Sequence, residues 1–358
     1  MNPLLQVRTQ GQQIWLDNLS RALLNDGHLA RMIASDGIAG VTTNPSIFHK
    51  AIAGGRYYEA DLADLKAQAL DAETRYEQLV IPDVRRACDL LQATFQGSAG
   101  NAGYVSLEVS PALAHDAPGT VAAGLRLKHE VARDNLLIKV PGTTAGVRAI
   151  EELIANGVSV NVTLLFSRAH VDAVAQAYIN GLQRLHAAGG DTRSVMSVAS
   201  LFLSRVDTLV DHELDARGPE FADLQGKSAL ALARLAYRDY LERFHGEDFT
   251  TLRKAGARPQ YLLWASTGTK NPRYSDLLYV EGLIGPETIN TLPDATLDAL
   301  RDHGTVARTI DTGLEDARRQ FDALEAAGVD MTAIGNRLQG EGLKQFDTAF
   351  DALLTLTA

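Results

Sequence analysis

The stretch DNLLIKVPGTTAGVRAIEEL (residues 134–153) reads as one strand running into one helix. Leu136 to Pro141 is a short apolar run broken by Lys139; Pro141 closes it, and GTTAGVRAIEEL has the spacing of a helix start. Side chains alternate between faces along a strand, so Lys139 shares a face with Leu137 while Ile138 and Val140 take the other. Lysine is among the side chains least often buried. Either its ammonium reaches an edge and water, or its burial serves chemistry.

Working outward, strand-like runs recur at 14–19 (IWLDNL), 40–44 (GVTTN), 104–110 (YVSLEVS), 160–166 (VNVTLLF), 195–201 (VMSVASL), 260–266 (QYLLWAS) and 288–292 (TINTL), with helical patterns between them. Strand alternating with helix argues for a parallel sheet, and eight such units make an α/β fold of the (β/α)8 TIM-barrel class. No Pro/Gly/Ser-rich linker divides the 358 residues, so the expectation is a single domain over 1–358. The charged region 211–256 keeps helical periodicity from Lys227 to Phe244 and reads as a helical excursion. Residues 311–358 read as terminal amphipathic helices, placed either over the barrel mouth or at a subunit contact.

Composition narrows the function. A formal charge of −10 argues against nucleic-acid or anionic-membrane binding through a general basic field, so an anionic substrate needs a local cationic pocket. The one cysteine, Cys88, lies in a helix-like run and reads as a core residue rather than a nucleophile. The N-terminus lacks a signal-peptide profile, and no apolar run approaches the roughly 20 residues that span a bilayer. The expected compartment is cytoplasmic. The nine histidines are scattered without metal-binding spacing, which gives a metal-activated mechanism little support.

Parity within the strands separates aliphatic from polar faces. Val105, Leu107 and Val109 oppose Ser106, Glu108 and Ser110; Val160, Val162 and Leu164 oppose Ser159, Asn161 and Thr163; Gly40, Thr42 and Asn44 fall together. One such strand also suits a solvated antiparallel sheet. Several in succession, flanked by helices, suit a barrel whose aliphatic faces meet the helices and whose strand C-termini carry the chemistry. Asp17, Asn44, Glu108, Lys139, Asn161, Thr163, Ser200 and Ser266 all fall in the later half of their runs. Desolvation favours the neutral form of a lysine, and a neutral amine attacks a carbonyl to form a Schiff base.

GVTTNPSIF (40–48) and LLIKVPGTTAGVRAIEEL (136–153) resemble signature stretches of the transaldolase family, and VNVTLLFS (160–167) and YVSLEVS resemble two more. The likeness is to the longer, bacterial and plant-like branch. It implies a (β/α)8 barrel that reversibly transfers a dihydroxyacetone unit between sugar phosphates in the pentose phosphate pathway, with no metal or organic cofactor. Sedoheptulose 7-phosphate and fructose 6-phosphate would be donors, erythrose 4-phosphate and glyceraldehyde 3-phosphate acceptors. By the same likeness Lys139 forms the Schiff base, Asp17 transfers the C4 hydroxyl proton, and Glu108 and Thr163 hold a water. Thr42, Asn44 and Asn161 sit at substrate-binding positions, the two asparagines on the dihydroxyacetone hydroxyls.

SLFLSR (200–205) matches the family's S-x-F-x-x-R and places Ser200, Phe202 and Arg205 at the phosphate end. The second family cation follows a serine in a short S-F-R segment, whereas this chain reads WASTGTKNP (264–272). Ser266 is kept, the arginine is not, and Lys270 is the nearest basic candidate. Each residue has a plainer reading: Asp17 as a cap near Ser20, Asn44 as a turn residue before Pro45, Asn161 and Thr163 as polar filler, Arg205 in an ion pair with Asp207, and Lys270 in solvent. The rival functions are a fructose-6-phosphate aldolase-type lyase and a non-catalytic sugar-phosphate-binding barrel. Monomer and homodimer both stay open.

Overall fold

A computed structural model describes residues 2–358. Its centre is a closed barrel of eight parallel strands in sequence order. These are β1 (Gln12–Leu16), β2 (Gly40–Val41), β3 (Tyr104–Glu108), β4 (Leu136–Pro141), β5 (Val160–Leu165), β6 (Ser197–Phe202), β7 (Tyr261–Ala265) and β8 (Thr288–Leu292). All eight expected strands are present, and helices separate them. Leu107, Ile138, Val140, Val160 and Val162 are buried among the hydrophobic side chains of the core. Ile138 shows the packing: a Cβ added to Gly124 of the helix Ala117–Val131 would approach its Cγ2 to 3.4 Å.

Several strand ends differ from the expectation: β1 ends at Leu16, β3 at Glu108 and β7 at Ala265, so Asp17 and Ser266 lie just past their strands rather than within them. β2 is two residues long because Asn44 leaves the strand to cap the helix Pro45–Ala53, accepting from the Ile47 N–H at 3.0 Å. β5 carries an extra residue against β6, and Leu164 there takes a left-handed φ of 60°. A helix not anticipated from the sequence, Pro3–Thr9, precedes β1. Its signals are an Asn2 side chain that accepts from the Leu4 N–H and a proline at the first turn.

The βα unit around Lys139 explains its own sequence. Thr143 caps the helix Thr144–Ala155, accepting from the Gly146 N–H at 2.9 Å and donating to the Ala114 carbonyl at 2.5 Å. Gly146 lets the first turn pass the end of β4, since a Cβ there would lie 1.9 Å from the Pro141 carbonyl oxygen. Cys88 is fully buried, and burial pushes its thiol up to about 12, as befits a core residue.

The region 211–256 is helical: the helix Ser204–Arg217 runs into it, and Ser228–His245 and Thr250–Lys254 follow. The last helix, Met331–Thr357, crosses the C-terminal mouth of the barrel. Gln339 Nε2 donates to the carbonyls of Gly142 (3.0 Å) and Leu164 (3.1 Å), both at strand ends. Among the described residues no helix is long and apolar enough to cross a membrane.

Two outcomes test this packing. Gly146→Ala forces a side chain against a backbone oxygen and should cost about 1–3 kcal/mol, read as a fall in urea midpoint. Asp207 is buried, accepting from the Ala229 N–H (2.7 Å) and the Tyr279 hydroxyl (2.8 Å), and burial pushes its carboxyl up to about 6. Between pH about 4 and about 6 the folded state therefore binds more protons than the unfolded one, and this group's contribution to stability falls as pH rises. Asp207→Asn, which keeps an acceptor for Ala229, should remove that decline, on the order of 3 kcal/mol, in urea titrations at pH 4 and 7.

Candidate active site

Strand register assembles the centre. Glu108 pairs with Lys139 across β3 and β4, and Lys139 with Asn161 across β4 and β5, so three polar side chains stand in a row inside the barrel. Lys139 Nζ lies 2.6 Å from Glu108 Oε1 and donates to the Thr43 carbonyl at 2.8 Å. The Phe346 ring of the last helix closes the other side, its centre 6.0 Å from Nζ. Burial raises the Glu108 carboxyl above its ordinary range, with the Lys139 charge pulling the other way.

Each residue of the TTNP segment has a separate task. Thr42 Oγ1 lies 2.7 Å from Asp17 Oδ1 and 2.6 Å from Thr291 Oγ1. Thr43 donates from its hydroxyl to the Ser106 carbonyl (2.8 Å) while its own carbonyl receives Lys139. Asn44 caps, and Pro45 occupies the first helical turn. Asp17 does not cap the helix near Ser20, because Ser20 does so itself. Burial raises the Asp17 carboxyl; Lys139 and the Thr42 hydrogen bond oppose this, and Asp294 adds to it.

Asp17, Thr42, Asn44, Lys139, Thr163, Ser200, Phe202, Arg205, Ser266 and Lys270 all line one cavity of about 290 Å³ at the strand C-termini. Glu108 and Asn161 stand outside that lining. Glu108 lies behind the lysine, and Asn161 is fully buried, donating to Ser106 Oγ (2.9 Å) and accepting from Ser200 Oγ (2.7 Å). Thr163 Oγ1 and Glu108 Oε2 are buried without a hydrogen-bond partner among the described residues. Thr291, Gln345 and Phe346 also line the cavity and were not anticipated. Alternation in TINTL does not give Thr291, which shares the face of Ile289, while the polar Thr288 and Asn290 take the other and Asn290 donates outward to the Tyr279 carbonyl. Nor does any sequence signal say which amphipathic helix covers the mouth.

The far end is cationic. Arg205 is half-buried, its Nη1 without a hydrogen-bond partner among the described residues and its guanidinium carbon 5.5 Å from the Phe202 ring centre, and desolvation pulls its pKa down against the Glu341 charge. The ion pair with Asp207 does not form, because Asp207 is taken by Ala229 and Tyr279. Ser266 holds a left-handed φ of 54°, with its hydroxyl 2.8 Å from Ser204 Oγ. Lys270 is exposed at the rim. Strained backbone of this kind, here at Leu164 and Ser266, costs about 1–3 kcal/mol per residue and concentrates at functional sites.

This geometry can be set against known proteins. A model of the Transaldolase/Fructose-6-phosphate aldolase family matches residues 14–357. The chain belongs to that family. It is 57% identical over 355 residues to a transaldolase of Thiobacillus denitrificans, covering 99% of both chains. It is 48% identical over 354 residues to a transaldolase of Neisseria gonorrhoeae, again covering 99% of both. Transaldolase 2 of Nostoc is 42% identical over 366 residues, covering 99% of this chain and 96% of the relative. Family membership together with these full-length relatives indicates a transferase enzyme, and its fold is a TIM barrel.

The raised carboxyls set a pH dependence. Any step that needs Glu108 or Asp17 ionised is lost as pH falls through their elevated values. The acid limb of kcat should therefore lie above the roughly 4 of free carboxyls. A limb at or below that value would contradict the burial.

Proposed function

We propose that the chain is a transaldolase, acting as one barrel domain in the cytoplasm and needing no cofactor. It transfers a dihydroxyacetone unit from sedoheptulose 7-phosphate or fructose 6-phosphate to glyceraldehyde 3-phosphate or erythrose 4-phosphate, in the pentose phosphate pathway. The observation that carries the reading is the buried Lys139–Glu108 pair at 2.6 Å, with the Asp17 carboxyl at the same cavity. The Glu108 carboxyl, raised by burial and in reach of Nζ, suits proton exchange with the groups that form around Lys139 as the Schiff base is made and hydrolysed.

The amine attacks the ketose C2 carbonyl, and the carbinolamine loses water to give an iminium. Glu108 and Thr163, with unpartnered oxygens, suit the water that forms and later hydrolyses this bond. Asp17 takes the C4 hydroxyl proton, the C3–C4 bond breaks, and its electron pair enters the iminium to leave an enamine. The aldehyde product departs, the acceptor aldehyde enters, and the same steps run in reverse. Thr42, Asn44 and Asn161 fit the dihydroxyacetone hydroxyls directly or through Ser200. Arg205, Ser266 and Lys270 fit the phosphate, Arg205 through paired donors. The cavity is closed by the chain's own last helix, so this chemistry asks nothing of a second subunit and is compatible with a monomer or a homodimer.

The aldolase reading stands as a rival because the family includes both activities. Borohydride reduction with fructose 6-phosphate, followed by peptide mass mapping, should place a dihydroxyacetone adduct on Lys139; an adduct elsewhere ends the proposal. Free dihydroxyacetone released despite saturating erythrose 4-phosphate would favour the lyase. Asp17→Asn should keep adduct formation while lowering kcat by roughly 10²–10⁴-fold, the usual contribution of a general acid–base group.

A further inference from the structure

The β7–β8 connection carries Ser266 and Lys270, and it is fastened by contacts that the proposed chemistry does not use. Lys270 sits in a loop folded on itself: Thr269 Oγ1 donates to the Ser275 carbonyl (2.8 Å), and the Tyr274 N–H to the Asn271 carbonyl (3.1 Å). The Tyr274 hydroxyl then reaches across to Asp211, donating to Oδ2 at 2.6 Å. The other Asp211 oxygen accepts from the Gly226 N–H at 2.9 Å. Gly226 has a φ of 67°, and a Cβ there would come within 2.7 Å of the Tyr274 ring, so the glycine is what lets the ring lie this close. A second bond of the same kind, Tyr279 to Asp207 at 2.8 Å, fastens the connection further along.

Asp207 and Asp211 both belong to the helix Ser204–Arg217, whose first turn carries Arg205. The two cations at the far end of the cavity thus sit on separate segments, and the tyrosine–aspartate bonds tie those segments together. We infer that Tyr274, acting through Asp211, is a positioning residue that sets the spacing between Lys270 and Arg205 and thereby the affinity for the substrate phosphate, without touching substrate. This rests on reading Lys270 and Arg205 as the phosphate ligands. The physical need follows from the residue type: an exposed lysine on a flexible stem binds an anion better when its backbone is already held in place.

Tyr274→Phe keeps the ring against Gly226 and removes only the hydroxyl. KM for fructose 6-phosphate should rise roughly three- to tenfold, the range expected for one lost hydrogen bond, with kcat changed by less than about twofold. The inhibition constant of inorganic phosphate should rise by the same factor. The dihydroxyacetone concentration giving half-maximal borohydride trapping on Lys139 should not move, since that ligand carries no phosphate. Lys270→Ala should also raise KM, and Tyr274→Phe should add nothing in that background. Weaker dihydroxyacetone trapping in Tyr274→Phe, or additive losses in the double variant, would overturn the inference. If Lys270→Ala raises KM and Tyr274→Phe does not, the inference alone falls. If Lys270→Ala leaves KM unchanged, the phosphate reading falls and takes the inference with it.

Discussion

The pairing of β3 with β4 places a carboxylate beside an ammonium inside the barrel, and the rest of the site is arranged around that contact. A lone lysine at this depth would be costly to bury, and a lone glutamate equally so; side by side each offsets much of the other's desolvation. The contact exists only in one register. A slip of β4 by one residue would turn Lys139 toward the helices and bring Ile138 or Val140 inward beside Glu108. The aliphatic packing between strands and helices is therefore what keeps the charged pair in place. Stability on the outside of the barrel and chemistry on the inside are two faces of the same strands.

Much of this is legible in the residues themselves, because a period of two that recurs in β3, β4 and β5 is a strong signal. With the strands taken as a barrel, alternation puts Lys139, Glu108 and Asn161 on the inward face, and the register sets them in a row. Parity could not distinguish lining the cavity from supporting it, and Glu108 and Asn161 turn out to support it. Nor could it foresee the extra residue in β5, where Leu164 departs from extended backbone and regular alternation stops. Asn44 illustrates a different limit. Read as a strand residue with a plainer role before Pro45, it lines the cavity and also caps a helix, two tasks that one-dimensional patterning treats as exclusive.

The charge of the molecule is distributed with equal economy. A chain with a formal charge of −10 keeps its few useful cations in one cavity, Lys139 near one end with the carboxylates and Arg205 and Lys270 at the other. Most of its remaining arginines are engaged at the surface, as in the pairs Arg126–Glu77 and Arg168–Asp239. Arg205 Nη1 is buried without a hydrogen-bond partner among the described residues and stands at the cavity, which leaves it available to an anion there.

The helix that closes the mouth follows all eight strands in the chain, and its Gln339 fastens to carbonyls that exist in position only after β4 and β5 have ended. During synthesis the strands emerge first, and the barrel interior, with its buried charges, stays open to water until this helix arrives. The reaction chamber is thus the last compartment of the molecule to be roofed. A polypeptide released early could own Lys139, Glu108 and Asp17 and still lack the Phe346 side of their cavity.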